Sequence, residues 1–140
     1  MAVLIRPADW QKEQENIRAI REAVFVQEQK VPADLEWDNL EESSQHFLVF
    51  NDGVPVGTGR ISKDGKVGRM AIKQSARGLG LGAQLLKGIC DFAKQRGLLN
   101  VYLHAQQHAE GFYARGGFSP EGEIFYEAGI PHIKMVMQLN

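Results

Sequence analysis

Gln74-Ser75-Ala76-Arg77-Gly78-Leu79-Gly80-Leu81-Gly82 decides how this 140-residue chain is read. A strand-like piece, Val67-Gly68-Arg69-Met70-Ala71-Ile72, comes before it. After it, Leu81, Leu85, Ile89 and Phe92 or Ala93 recur at intervals of four or three, the period of one helix face. Three glycines at alternate positions leave the backbone bare where the chain turns into that helix. The first N–H groups of a helix have no partner within it, and the macrodipole adds positive charge there. Such a place binds phosphate. The chemical expectation is therefore a phosphate-bearing cofactor or ligand.

The rest of the chain sets bounds on that reading. Its length suits one domain, residues 1–140, with a core of useful size. A net charge of −1 gives no electrostatic reason to expect nucleic acid or an anionic membrane as partner. The one cysteine, Cys90, has no partner for an internal disulfide, which fits a cytoplasmic location. It sits beside Ile89 on the helix after the glycines, where burial would leave it inert. No apolar window of about 18 residues predicts a membrane span, and the N-terminus lacks the layout of a signal peptide. No metal site is expected.

In order along the chain, Ala2–Ile5 reads as an opening strand that stops at Arg6-Pro7. Asp9 is placed to cap a helix starting near Trp10. Ile17, Ile20 and Val24 form its apolar stripe, with Arg18, Arg21 and Glu22 on other faces. The helix runs toward Val31-Pro32, where it must end. From Pro32 to Ser44 no periodicity is visible. Glu36, Trp37 and Asp38 put carboxylates beside an aromatic there, either as a substrate-facing loop or as a solvated one with Trp37 tucked inside. His46–Phe50 is a strand, Asn51-Asp52-Gly53 a hairpin turn, and Val54 to Ser62 the return strand, whose Gly57 and Gly59 point to a bulge or close packing. A second turn at Lys63–Lys66 leads into Val67–Ile72. The helix after the glycines closes at Gly97. Leu98–Ala105 is a near-continuous apolar run, as in a strand buried on both faces. A short helix from Gln106 to Arg115, a strand around Glu123–Tyr126 and a last strand over His132–Leu139 complete the chain. The class is α/β with a mixed sheet.

Two familiar phosphate loops fail in this context. A Walker loop needs Lys-Ser/Thr after the last glycine, where Ala83-Gln84 stand. A dinucleotide fingerprint follows its strand at once and opens a parallel sheet, whereas five residues separate Ile72 from Gly78 and an antiparallel meander precedes. Arg77-Gly78-Leu79-Gly80-Leu81-Gly82 instead resembles the R/Q-x-x-G-x-G/A signature of the Gcn5-related N-acetyltransferases (GNAT). Gln106 through Phe118 is similar to the family's second motif, N-x-x-A-x-x-F-Y-x-x-x-G-F, with glutamine in place of the common asparagine. Gln74 stands where the family often has proline. In the N-terminal half, Arg21-x-x-Val24-Phe25-Val26-x-Glu28-Gln29-x-x-Pro32 resembles a small bacterial subfamily of ElaA/YjcF type. The resemblance covers nearly the whole chain.

That resemblance implies the GNAT acyl-CoA N-acyltransferase fold: a central, mostly antiparallel sheet flanked by helices, in which the Val67–Ile72 strand splays from a parallel neighbour at Val101–Ala105. It implies acetyl-CoA as cofactor and an acetyl transfer to a primary amine by direct attack in a ternary complex. Gly78, Leu79, Gly80, Leu81, Gly82 and Ala83 would hold the pyrophosphate, with Arg77 adding charge. Met70, Ala71 and Ile72 would offer backbone groups to the pantetheine arm, a bulge making the splay possible, and Gln106 an amide. The N–H of Met70 or Ile72 would serve the oxyanion. Tyr113 matches the family's thiolate-protonating tyrosine, although beside Phe112 it could equally be a core residue. For the base, Glu28, Glu36, Asp38 and His104 all remain open, and His104 could simply pack in the sheet. His132 could line the acceptor pocket or serve the strand start. The acceptor would be a small-molecule or peptide amine, and an exposed last strand would allow a homodimer. A non-catalytic coenzyme A sensor and an acyl-homoserine-lactone-synthase-like enzyme are the competing readings.

Overall fold

The computed structural model describes residues 1–140. Strand β1 (Val3–Ala8) pairs antiparallel with β2 (Gln45–Asn51), which pairs with β3 (Val54–Ile61), which pairs with β4 (Val67–Ile72). The opening strand was expected to stop before Pro7, yet it runs through it. β1 is an edge strand with a neighbour on one side only, so the ladder tolerates a residue without an N–H. The β2–β3 turn takes φ of 51° at Asp52 and 81° at Gly53, as a tight hairpin demands.

Helix α1 (Trp10–Arg21) starts where the Asp9 carboxylate accepts from the Gln11 N–H at 2.9 Å. It continues as a π-helical turn over Glu22–Glu28, where the Gln29 N–H reaches back five residues to the Val24 carbonyl. Insertions of this kind re-aim side chains and are frequent at functional sites. One helical turn, α2 (Ala33–Glu36), follows.

Helix α3 (Leu81–Gln95) buries Leu81, Leu85, Leu86, Ile89, Cys90 and Ala93, the face that its period implied. Each large apolar side chain so buried stabilises by about 1.5–3 kcal/mol relative to exposure. This face packs on Phe47 and Val49 of β2, while α1 lays Ile17 and Ile20 on the other side against Leu48 and Ala71. The four-stranded sheet is thus covered on both faces.

Strand β5 (Asn100–Gln106), α4 (Glu110–Arg115), β6 (Ser119–Glu127) and β7 (Ile130–Gln138) complete the chain. The second sheet has the order β5-β7-β6, antiparallel throughout. The last strand is therefore central, and β6 is the edge, which removes the argument for self-association through an exposed final strand. β5 also departs from expectation, because only Val101, Leu103 and Ala105 are buried. Tyr102, His104 and Gln106 alternate with them and stay half-exposed, and Leu99 lies before the strand with 79% exposure.

One parallel bridge, between Lys66 and Tyr102, joins the sheets, with the Tyr102 N–H donating to the Gly65 carbonyl at 3.0 Å. Beyond it β4 and β5 part. Thr58 faces Ala71 and Arg60 faces Gly68, so Gly59 alone opposes Arg69 and Met70. That is a bulge in β4, with Arg69 at φ 47°. Gly59 is bare because a Cβ there would lie 3.0 Å from Ile89 and 3.1 Å from Met70. No helix is long and apolar enough to cross a membrane.

Candidate active site

The splay opens two adjoining cavities. The first, about 850 Å³, runs along the glycine-loop side and is lined by Met70, Ala71, Ile72, Arg77, Gly78, Gly80, Leu81, Gly82, Ala83 and Gln106, together with Glu28. Every residue expected to hold the cofactor lies there except Leu79, whose side chain is exposed and which does not line the cavity. The second, about 460 Å³, lies on the far side of the β4 bulge and includes Phe25, Val31, Glu36, Arg69, His104, Glu127 and His132. Met70, Gln106, His108 and Tyr113 line both.

The chain builds the first cavity from backbone. Gly78 and Gly80 adopt φ of 81° and 77°, a conformation that side chains resist, and Gly80 caps α3. The N–H groups of the first turn of α3 therefore open onto the loop. Lys73 donates its N–H to the Val56 carbonyl at 2.8 Å, toward β3. Strand alternation then turns the backbone groups of Ile72 and Met70 into the gap beside β5. The Arg77 Nε bonds the Ile72 carbonyl from that side at 2.9 Å. An anionic cradle at one end and free amide groups along the gap fit a long ligand that carries phosphates and a peptide-like arm.

The candidate acids and bases differ sharply in their surroundings. Tyr113 is half-buried, stands 5.1 Å from the Phe112 ring centroid, and has its phenol pushed above the ordinary value by burial. It stays protonated through the neutral range. Glu28 is exposed and paired through both oxygens with Arg77, whose hydrogen bonds hold its carboxyl below the usual range. Such a carboxylate is a weak proton acceptor. Glu36 is 3% exposed; burial pushes its pKa up, while Arg21 at 2.7 Å and Arg69 at 3.3 Å favour its charge. For Asp38, burial opposes the charge most strongly, but the hydrogen bonds of Arg60 and Glu41 and the charges of Arg60 and Arg69 together outweigh it and hold the carboxyl well below the usual range. His104 projects into the second cavity with Nδ1 2.7 Å from Glu127 Oε1. His132 lines the same cavity, its Nδ1 2.7 Å from the Ile130 carbonyl. Cys90 is buried and its thiol is pushed up to about 11, so no thiolate forms there at neutral pH.

Arg21 corrects the sequence reading. It is fully buried rather than on an outer face, and with Arg60 and Arg69 it engages Glu36, Asp38 and Glu41. These acids are therefore neither a solvated face nor a free cation site. Trp37 lies flat against the Arg18 and Arg21 guanidiniums, 4.9 and 4.6 Å away. A signal for Arg21 existed: it falls four residues after Ile17 and three before Val24, on the buried stripe. Glu127 had no such signal, because it reaches His104 only through the sheet order that puts β7 between their strands.

A family model for an acetyltransferase (GNAT) domain matches residues 8–139. The chain is 40% identical over 121 residues to the uncharacterized N-acetyltransferase YjcF of Bacillus subtilis, covering 84% of this chain and 86% of that protein. It is 34% identical over 128 residues to the protein ElaA of Escherichia coli, covering 86% and 84%. Among solved structures, an acyl-CoA N-acyltransferase from Pseudomonas aeruginosa superposes with a TM-score of 0.86 at 30% identity, covering 97% of this chain and 99% of that one. The crystal structure of E. coli ElaA gives the same TM-score at 28% identity and the same coverage.

Proposed function

The chain belongs to the GNAT acetyltransferase family and is an acyltransferase, and from that premise we propose that, as one domain, it moves the acetyl group of acetyl-CoA to a primary amine by direct attack in a ternary complex. The observation that carries this reading is the junction of the two cavities. Met70, Gln106 and Tyr113 face both, so a cofactor in one and an amine in the other would meet there. Acetyl-CoA, when bound, supplies a thioester carbon for the amine to attack.

The chain's own groups divide the remaining work. The loop N–H groups from Gly78 to Ala83 hold the pyrophosphate. Gln106 and the backbone of Met70 and Ile72 hold the pantetheine arm, and a Met70 or Ile72 N–H stabilises charge on the carbonyl oxygen. His104 takes the proton of the incoming ammonium, in preference to Glu28 and Glu36, which arginines already occupy. Tyr113 gives its phenolic proton to the departing sulfur. The second cavity suits a small-molecule amine or the end of a peptide. A lone buried thiol suits the cytoplasm. β7 has a strand on each side, so a homodimer would form through another surface.

Titration calorimetry with acetyl-CoA, followed by thiol release across a panel of amines, tests the reading. Binding with turnover is expected; binding without turnover on any amine would make the protein a coenzyme A sensor. Tyr113→Phe should lower kcat by about 100-fold at unchanged acetyl-CoA affinity, and an unchanged kcat would remove Tyr113 from the chemistry.

A further inference from the structure

We infer that Glu127 is a positioning residue that makes His104 the base of this site, an inference that rests on the acetyl-transfer reading above. The two side chains come from different strands and meet across the mouth of the second cavity, Nδ1 to Oε1 at 2.7 Å. Glu127 ends β6 immediately before a turn with φ of 51° at Ala128 and 74° at Gly129, so its place is fixed by a tight hairpin. Phe125 holds the imidazole from the side, edge to face at 4.9 Å.

With the carboxylate accepting from Nδ1–H, the neutral ring carries its lone pair on Nε2. A carboxylate in this place sets the tautomer and stabilises the imidazolium that forms when the ring takes a proton. The transfer converts an ammonium and a thioester into an amide, a thiol and one released proton; Nε2 is where that proton goes first.

Other charges near the ring are occupied. Lys134, its register partner on β7, lies over the Tyr102 ring and pairs with Glu121. Arg69 and Glu36 across the cavity pair with one another and with the buried acids and Arg21. His132 is bonded to the Ile130 carbonyl. His108 and Tyr113 line the cavity wall without a carboxylate partner. Glu127 is the one carboxylate bonded to His104.

The test uses the full chain, with acetyl-CoA and whichever amine the wild type turns over. Glu127→Ala should lower kcat by about 100-fold, and Glu127→Gln, which still accepts a hydrogen bond but carries no charge, by about 10-fold. Acetyl-CoA affinity should stay unchanged in both, which also shows that they fold. The double variant His104→Ala/Glu127→Ala should be no slower than His104→Ala alone, because the two act as a unit. Nitrogen-15 NMR of the histidines should show the Nδ1–H tautomer for His104 in the wild type and its loss in Glu127→Ala. Undiminished turnover in Glu127→Ala, or additive losses in the double variant, would overturn the inference and leave acetyl transfer intact. A wild type that binds acetyl-CoA and acetylates nothing would sink both.

Discussion

Arg21–Glu36 and Arg77–Glu28 are both short arginine–carboxylate pairs, with contacts of 2.7 and 2.6 Å. The side chains of the first pair are 1% and 4% exposed and those of the second 39% and 36%. In the first, burial shields both side chains from solvent, so each charge depends on its buried partners and desolvation of a lone one would be severe. In the second, water and salt screen the attraction, so either partner can be exchanged for another ion at little cost. The buried pair is architecture: it ties the end of α1 to α2 and, through Arg69, to the bulged strand, and so shapes the wall of the second cavity. The exposed pair sits at the glycine loop, where, on the proposed function, an incoming phosphate would compete with Glu28 for Arg77.

The largest effect should come from breaking the buried pair. Arg21→Met removes the charge while keeping much of the volume, and leaves Glu36 only the more distant Arg69 at 3.3 Å. We expect a loss of about 3–5 kcal/mol in stability, read from urea unfolding, and no soluble protein if the chain is marginal. A loss below about 1 kcal/mol would mean that Arg69 alone, or a proton, neutralises Glu36, and that the Arg21 pair is not what holds this region. Next in size is Gly80→Glu at the exposed end. It places a carboxylate where phosphate should sit and forces a side chain into a left-handed conformation. Acetyl-CoA affinity should fall by at least about 100-fold, or about 2.7 kcal/mol. An unchanged dissociation constant would show that the cofactor does not use this loop.

Much smaller is the effect expected of Glu28→Gln. A lost general base lowers kcat by about 10²–10⁴, but a carboxylate that Arg77 already holds deprotonated has little base strength to lose. We expect kcat to stay within about threefold of wild type, and acetyl-CoA to bind no more weakly, because Arg77 is released toward the phosphates. A hundredfold loss in kcat at unchanged affinity would restore Glu28 as the base and displace His104.

The same contrast explains what could be read before the structure. The glycine loop, the α3 face and the succession of strands and helices along the chain are local patterns with a fixed period or spacing, and sequence displays them. Gly57 and Gly59 point to a bulge or close packing in β3; close packing is what Gly59 meets, with Met70 and Ile89 against it, and the bulge lies in β4, where the resemblance implies one. Charge partners were not visible. Glu36 meets Arg21 across 15 residues and Arg60 meets Glu41 across 19, and nothing in either segment names the other. The two readings left open for Glu36 and Asp38, substrate-facing or solvated, both follow from composition, which carries no information about who is opposite. Glu127 is harder still, since its meeting with His104 depends on β7 inserting between β5 and β6. Leu98–Ala105 misled for a simpler reason: a run of apolar residues does not reveal that Tyr102 and His104 stay half-exposed and that His104 lines a cavity.

The buried network also makes a pH prediction through a residue that neither pair contains. His46 is 1% exposed, stacks on Trp10 at 4.9 Å, and has Nε2 2.7 Å from the Glu41 carbonyl. Burial, and then the charges of Arg60 and Arg21, hold its pKa below the ordinary value, against the pull of that carbonyl. In the folded protein the ring stays neutral as pH falls, while in the unfolded chain it takes up a proton near pH 6.5. The unfolded state then binds more protons, so stability must fall as pH drops below that value. Glu36, whose pKa is raised by burial, pushes the other way at lower pH, so the wild-type curve alone mixes the two. His46→Gln keeps an N–H donor for the Glu41 carbonyl and removes the titration. Its Tm will be lower at pH 7 through lost stacking, but the decline in Tm from pH 7 to pH 5 should be shallower than in wild type, with the Glu36 contribution common to both. Parallel declines would mean that His46 accepts its proton inside the folded protein. The charge balance of three arginines against three carboxylates would then be the wrong account of the network.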